Sequence, residues 1–214
     1  MDGMNAIRNA LAAAVLVLAL PVVPALAQDT ARGEQLFALC AQCHGDDGGG
    51  DAAALAPAIG GLPAWFVTGQ LQKFRNGGRG THFDDISGMR MRPMSMWLRD
   101  DADVASVAAY VASLPKVNPA PTLAGGNPET GKQKYIPCIA CHGIHGEGNQ
   151  ALNAPPLAGM SDWYQLSALQ KFKAGVRGTN PKDITGMLMR PMSMTLADEQ
   201  AMLDVVAYIQ TLSK

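Results

Sequence analysis

What this chain of 214 residues lacks narrows its chemistry before any motif is considered. Beyond its N-terminus no segment is apolar for the ~20 residues that a membrane-crossing helix needs. The formal net charge is −1, with no basic stripe and no interleaving of aromatic and basic residues, which argues against nucleic acid as a partner. No stretch alternates apolar and polar residues in the way that demands a strand, so the chain reads as all-α. Histidine and cysteine are both scarce, at four each. No cysteine stands outside two C-x-x-C-H clusters, so none is left over for a disulfide framework even in an oxidising compartment.

The clusters themselves are the most informative feature. Cys40-Ala41-Gln42-Cys43-His44 recurs ninety-eight residues later as Cys138-Ile139-Ala140-Cys141-His142. C-x-x-C-H is the attachment site of a c-type haem. Two thiols add to the two vinyl groups of one porphyrin, and the adjacent histidine is held against the iron. Two covalently attached haem c groups are therefore expected, with His44 and His142 as proximal ligands.

The same offset superposes Gly33–Leu114 on Gly131–Leu212 without a gap, and nearly half of the positions are identical. Leu71-Gln72-Lys73-Phe74 recurs as Leu169-Gln170-Lys171-Phe172, and Met91-Arg92-Pro93-Met94-Ser95-Met96 recurs letter for letter as Met189-Arg190-Pro191-Met192-Ser193-Met194. Only two units are present and each carries its own attachment site, which makes this a duplicated domain and not a solenoid. A unit of this size buries only about 60 % of its unfolded surface, and a covalent haem supplies the missing apolar core.

The N-terminus reads as an export signal. Arg8 precedes an apolar run from Ala10 to Leu20, too short to span a bilayer, and Ala25-Leu26-Ala27 is a small-x-small cleavage site. Pro21 and Pro24 break the stretch and argue against a retained anchor. Cleavage after Ala27 removes residues 1–27 and leaves a periplasmic chain, consistent with haem attachment after export. The remainder divides into a first domain over 28–114, a linker over 115–128 rich in Pro, Gly and Ala, and a second domain over 129–214.

Three helical segments are expected in each copy, joined by long loops. The first covers Thr30–Leu39 and Glu129–Pro137. The second covers about Pro63–Asn76, and its counterpart opens at Ser161-Asp162 with Ser161 as N-cap. The last follows the acidic start Asp100-Asp101, with Val104, Val107, Ala108, Val111 and Leu114 at helical spacing. Trp65, Trp163, Phe74 and Phe172 read as packing around the haem, and Tyr110 and Tyr208 as core with the hydroxyl at an edge.

An iron that only shuttles electrons takes a second axial ligand. His82 is matched by Asn180 and His145 by Asp47, so neither belongs to the shared design. Methionine does, and a thioether is a common sixth ligand in cytochromes c. One block offers Met89, Met91, Met94 and Met96, the other Met187, Met189, Met192 and Met194. One methionine of each block is expected at iron, the rest filling space round the porphyrin. The pattern M-x-M-x-x-M-x-M also suits a Cu(I) thioether site, a reading weakened because each haem already claims a methionine. Arg79 and Arg177, ahead of Lys73 and Lys171, are candidates to pair with haem propionates, against the plainer reading of solvated basic side chains.

Taken together, these motifs resemble the dihaem cytochromes c4, built from two class I cytochrome c domains. The likeness covers nearly the whole mature chain. It rests on the paired C-x-x-C-H, the P-x-x-x-G turns at Pro57/Gly61 and Pro155/Gly159, and the spacing from the methionines to the final helix. In that family the ligand methionine stands seven residues before the leucine that opens the final segment. Leu98 and Leu196 match that leucine, so the resemblance implies Met91 and Met189 as sixth ligands. It further implies that the carbonyls of Pro57 and Pro155 accept the Nδ1–H of His44 and His142, fixing the imidazoles. Two domains packed through their haem edges about a pseudo-two-fold axis are also implied. The extra methionines are where this chain departs from the pattern.

The expected function is that of a periplasmic electron carrier and not an enzyme. Its partners would be a quinol-oxidising complex or dehydrogenase on one side and a terminal oxidase or reductase on the other. A dihaem redox enzyme of peroxidase or thiosulfate dehydrogenase type is the alternative. It needs an iron with an open or displaceable ligand, or one haem built differently from the other. The near-identity of the two sites and a mature chain short for the peroxidase argue against it. A cytochrome subunit docked on a larger oxidoreductase is the third reading.

Overall fold

The first repeat is built from α1 (Thr30–His44), α2 (Ala64–Arg75), α3 (Ile86–Trp97) and α4 (Asp101–Ser113). The second is built from α5 (Pro128–Tyr135), α6 (Ile139–His142), α7 (Asp162–Lys173), α8 (Ile184–Met194) and α9 (Glu199–Thr211). The computed structural model describes residues 29–212, so the expected signal segment lies outside the described residues. Among these residues β-structure is limited to isolated bridges, Asp51 with Ala56 and Asn149 with Ala154, and no helix is long and apolar enough to cross a membrane.

Two helical expectations need correction. The first helix does not stop at Leu39 but runs through the whole C-x-x-C-H to His44, where Gly45 leaves the helix at φ 78°. In the second copy Pro137, which has no N–H to give, divides the same stretch into α5, a 3-10 turn over Ile136–Cys138, and α6. The larger correction concerns the methionine blocks, which form helices α3 and α8 and not part of a loop. Methionine and arginine are good helix formers. Asp85 caps α3 by accepting from Gly88 N–H at 3.2 Å, and Asp183 caps α8 from Gly186 N–H at 3.1 Å. Pro93 and Pro191 lie inside these helices, where each costs a hydrogen bond without ending the element.

Each repeat is organised around a close crossing of its first and last helices. A Cβ added to Gly33 of α1 would lie 2.1 Å from Ser106 O of α4, and one added to Gly131 of α5 would lie 1.9 Å from Asp204 O of α9. Only a residue without a side chain permits this approach. Around it pack Leu36, Phe37, Leu71, Val104, Val107 and Val111 in one core and Tyr135, Leu166, Met202, Val205, Val206 and Ile209 in the other. Gly33→Ala should therefore destabilise the first repeat by about 3 kcal/mol, at the upper end of overpacking costs. Thermal unfolding checks this, and an unchanged midpoint would mean that α1 and α4 separate freely.

The repeats face each other through reciprocal contacts. Lys73 Nζ pairs with Asp183 Oδ1 at 2.6 Å, and Lys171 Nζ with Asp85 Oδ1 at 2.7 Å. Position i of one copy meets position j of the other, and j meets i, which is the signature of a two-fold relation. The symmetry is imperfect. Ser161 does not cap α7 with its side chain, because its hydroxyl accepts from Ala58 N–H at 3.0 Å across the interface. The mirror contact is impossible, since Pro156 stands where Ala58 would have to donate. Asn180 Nδ2 adds a bond to Gly77 O at 2.9 Å, and Lys182 Nζ one to Asn76 O at 3.1 Å.

The connecting segment is held down. Asp162 accepts from the backbone N–H groups of Thr122 and Leu123 at 2.6 and 2.7 Å, and from the Thr122 hydroxyl at 2.9 Å. Helix α5 opens at Pro128, the last residue of the stretch read as linker, behind the N-cap Asn127.

Candidate functional site

The last turn of α1 carries Cys40, Cys43 and His44. Positions three and four apart share a helix face. Cys40 is half-buried and Cys43 exposed, and Cys138 and Cys141 repeat the pattern. Burial pushes the Cys40 and Cys138 thiols up to about 11, so they stand protonated.

The two histidines are buried, 7 % exposed for His44 and 5 % for His142. His44 Nδ1 lies 2.8 Å from Pro57 O, and His142 Nδ1 lies 2.8 Å from Pro155 O. A carbonyl can only accept, so Nδ1 carries the hydrogen and the lone pair is left on Nε2. Burial lowers the pKa of both rings, more than the proline carbonyls raise it, and keeps them neutral as a metal ligand must be. The Gly-rich turn makes this geometry possible. Gly50 N–H donates to His44 O at 2.7 Å, and a Cβ on Gly50 would sit 2.5 Å from Ala58 N, beside Pro57.

A cavity of about 570 Å³ opens beside these groups, within the range of cofactor sites. Cys40, Cys43, His44, Met91 and Met94 all line it. Of the four methionines in α3, Met91 and Met94 reach its wall and Met89 and Met96 do not; Met91 is half-buried, and the other three are exposed. In α8, Met189 and Met192 are half-buried, while Met187 and Met194 are exposed. Two thiols, an imidazole with a free Nε2 and a thioether around one apolar cavity form the donor set that a c-type haem requires.

Arg79 lines the same cavity, stacks 4.3 Å above the Phe74 ring and donates from Nη1 to Gln70 Oε1 at 2.6 Å. Its buried Nε has no partner, and Arg177, stacked 4.3 Å over Phe172, has the same unpartnered Nε. A buried guanidinium N–H left over in both copies fits an anionic acceptor such as a haem propionate. Lys73 and Lys171 are instead committed to Asp183 and Asp85. Phe74 lines the cavity as expected of a packing residue, but Trp65 does not; it stands edge-on to Phe66, with ring centroids 5.9 Å apart. His145 is exposed, and His82 stacks on Phe83 at 4.7 Å, away from the cavity wall.

The sequence reading missed the contribution of the second repeat to the first cavity. Met160 and Tyr164 line it together with Leu62 and Phe66, the residues that occupy the same two places in the first repeat. Burial raises the pKa of the Tyr164 hydroxyl, but the Arg79 and Arg177 cations outweigh this and bring it to about 8. The single hydroxyl by which Tyr164 exceeds Phe66 was the only available signal.

The sequence profile of the cytochrome c family matches residues 30–115 and again 128–213. Cytochrome c4 of Azotobacter vinelandii is 30% identical over 218 aligned residues, spanning 95% of this chain and 99% of its own. The thiosulfate dehydrogenase electron acceptor of Stutzerimonas stutzeri is 35% identical over 168 residues, 72% of each chain. Reduced recombinant cytochrome c4 from Pseudomonas stutzeri superposes with a TM-score of 0.68 at 26% identity, covering 85% of this chain and 97% of that one.

Proposed function

The chain belongs to the cytochrome c family, as two of its domains in tandem in the manner of the dihaem cytochromes c4, and from that premise we propose that it is a periplasmic electron carrier. It carries two covalent haem c groups, one on Cys40 and Cys43 and one on Cys138 and Cys141. Each haem, once bound, supplies an iron centre that takes up and releases one electron. His44 and His142, oriented through the carbonyls of Pro57 and Pro155, would offer Nε2 to the iron. Met91 and Met189 would supply a thioether to it, and Arg79 and Arg177 would hold propionates.

The observation that carries this reading is the mirrored donor set. Both sites have an imidazole fixed on a proline carbonyl and a methionine helix at the same offset. Two like donor sets, each able to fill both ligand positions of an iron, suit outer-sphere exchange, whereas catalysis needs an open or displaceable position or one site built differently. The relative that accepts electrons from thiosulfate dehydrogenase supports a dehydrogenase as one donor class; a quinol-oxidising complex is another, and a terminal oxidase or reductase receives the electrons.

Carbon monoxide separates carrier from enzyme. Added to the fully reduced protein at neutral pH, it should leave both haem spectra unchanged on the time scale of minutes. Stoichiometric binding at one haem would reveal an open or displaceable ligand and would put the enzyme reading ahead.

A further inference from the structure

Each methionine helix is anchored at its two ends by different repeats. The C-terminal anchor is local. Arg75 of α2 donates from Nη1 to Ser95 O at 3.1 Å and to Leu98 O, closing the end of α3. Lys173 of α7 donates to Ala197 O at 2.8 Å and to Leu196 O, just beyond α8. The N-terminal anchor crosses the interface. Asp183, the N-cap of α8, is held by Lys73 of the first repeat, which also donates to Thr185 Oγ1 in the first turn. Asp85, the N-cap of α3, is held by Lys171 of the second repeat, which also donates to Ser87 Oγ at 2.7 Å.

These caps are not surface carboxylates. Asp183 is 0 % and Asp85 1 % exposed. Water cannot solvate them, so nearby cations must make their charge tolerable. The lysine from the opposite repeat is the one bonded to each, and the Arg79 and Arg177 guanidiniums add to the field. Removing the bonded partner of a buried pair leaves a poorly compensated ion. For Asp85, burial alone would raise the pKa, but Lys171, joined by the Arg79 cation and the Gly88 N–H, outweighs it and holds the group below the usual carboxylate range. The backbone leaves no slack either: a Cβ on Gly88 or Gly186 would lie 2.0 Å from the capping carboxylate.

We infer that Lys73 and Lys171 are crossed positioning residues: each lysine seats the methionine helix of the repeat to which it does not belong. Lys73, carried by the first domain, thus sets the geometry of the second haem site, and Lys171 that of the first. The consequence for iron ligation rests on the proposed roles of Met91 and Met189; the seating of the helices does not.

The test uses the full dihaem protein with Lys73→Gln and Lys171→Gln, followed by amide hydrogen exchange and the near-infrared band of methionine-ligated ferric haem. Lys73→Gln should speed exchange across residues 184–194 by at least about tenfold, with residues 86–97 unchanged. The near-infrared band should fall towards the intensity of a single site. Lys171→Gln should do the converse, loosening 86–97. Potentials alone would not decide, since any lost charge shifts them. If each variant loosens the methionine helix of its own repeat, loosens both equally, or loosens neither, the inference fails. Should the glutamine variants accumulate poorly, Lys73→Arg keeps the charge but displaces the contact, and the same crossed pattern must appear at smaller amplitude. A wild-type protein without the near-infrared band would overturn the methionine ligands while leaving the exchange pattern to judge the clamp.

Discussion

Replacing Cys40 and Cys43 together with alanine should leave a protein that carries one haem per chain and whose first repeat does not fold. Leu71, Phe74, Val107 and Val111 of the first core all line the cavity of about 570 Å³. Without the porphyrin that apolar wall would face water at a cost of ~25 cal/mol per Å², and an ordinary small domain has only about 5–15 kcal/mol of stability to lose. Mass spectrometry after acid and organic extraction should show a single haem addition on the variant and two on the wild type. Limited proteolysis should then cut within residues 29–114 and spare the second repeat. A variant that keeps two covalent haems, or that resists proteolysis throughout, would refute the attachment site or the structural need for the group.

The second large effect is expected at the methionines. The oxidised wild type should show a weak near-infrared charge-transfer band with intensity for two sites. Met91→Ala and Met189→Ala should each abolish half of it and lower one potential by on the order of 100 mV, within the ~0.8 V that axial ligation commands. Met94 lines the same cavity as Met91, so Met94→Ala is the informative control and should change the band little. Survival of the band in Met91→Ala, with its loss in Met94→Ala, would move the ligand three residues along α3.

The chemistry of the two sites was legible in the sequence because covalent attachment demands fixed spacing: Cys40, Cys43 and His44 declare themselves, and the ninety-eight-residue offset says that it happens twice. The final helices were legible for the same reason that they are stable, since Val104, Val107 and Val111 are core residues at helical spacing. What stayed hidden was whatever depends on the other repeat. Pro93 and Pro191 argue locally against a helix, and the caps that override them are buried aspartates whose partners lie in the opposite domain. Ser161 has the residue type of a cap but finds a better donor in Ala58. Tyr164 differs from Phe66 by one oxygen, which matters only once Arg79 is beside it. Local sequence reports periodicity and spacing; it is silent on long-range pairing.

The segment fastened between Leu114 and Pro128 changes what kind of interface the two domains need. Two separate molecules meeting through a few lysine–aspartate pairs and scattered hydrogen bonds would part readily at cellular concentrations. Joined by a short tether whose far half is bound to Asp162, the same surfaces meet at an effective concentration on the order of millimolar. Affinity is therefore supplied by connectivity, and the side chains at the junction are released from having to provide it. They are free to be polar, to differ between the two copies, and to be chosen for where they place a helix or a charge.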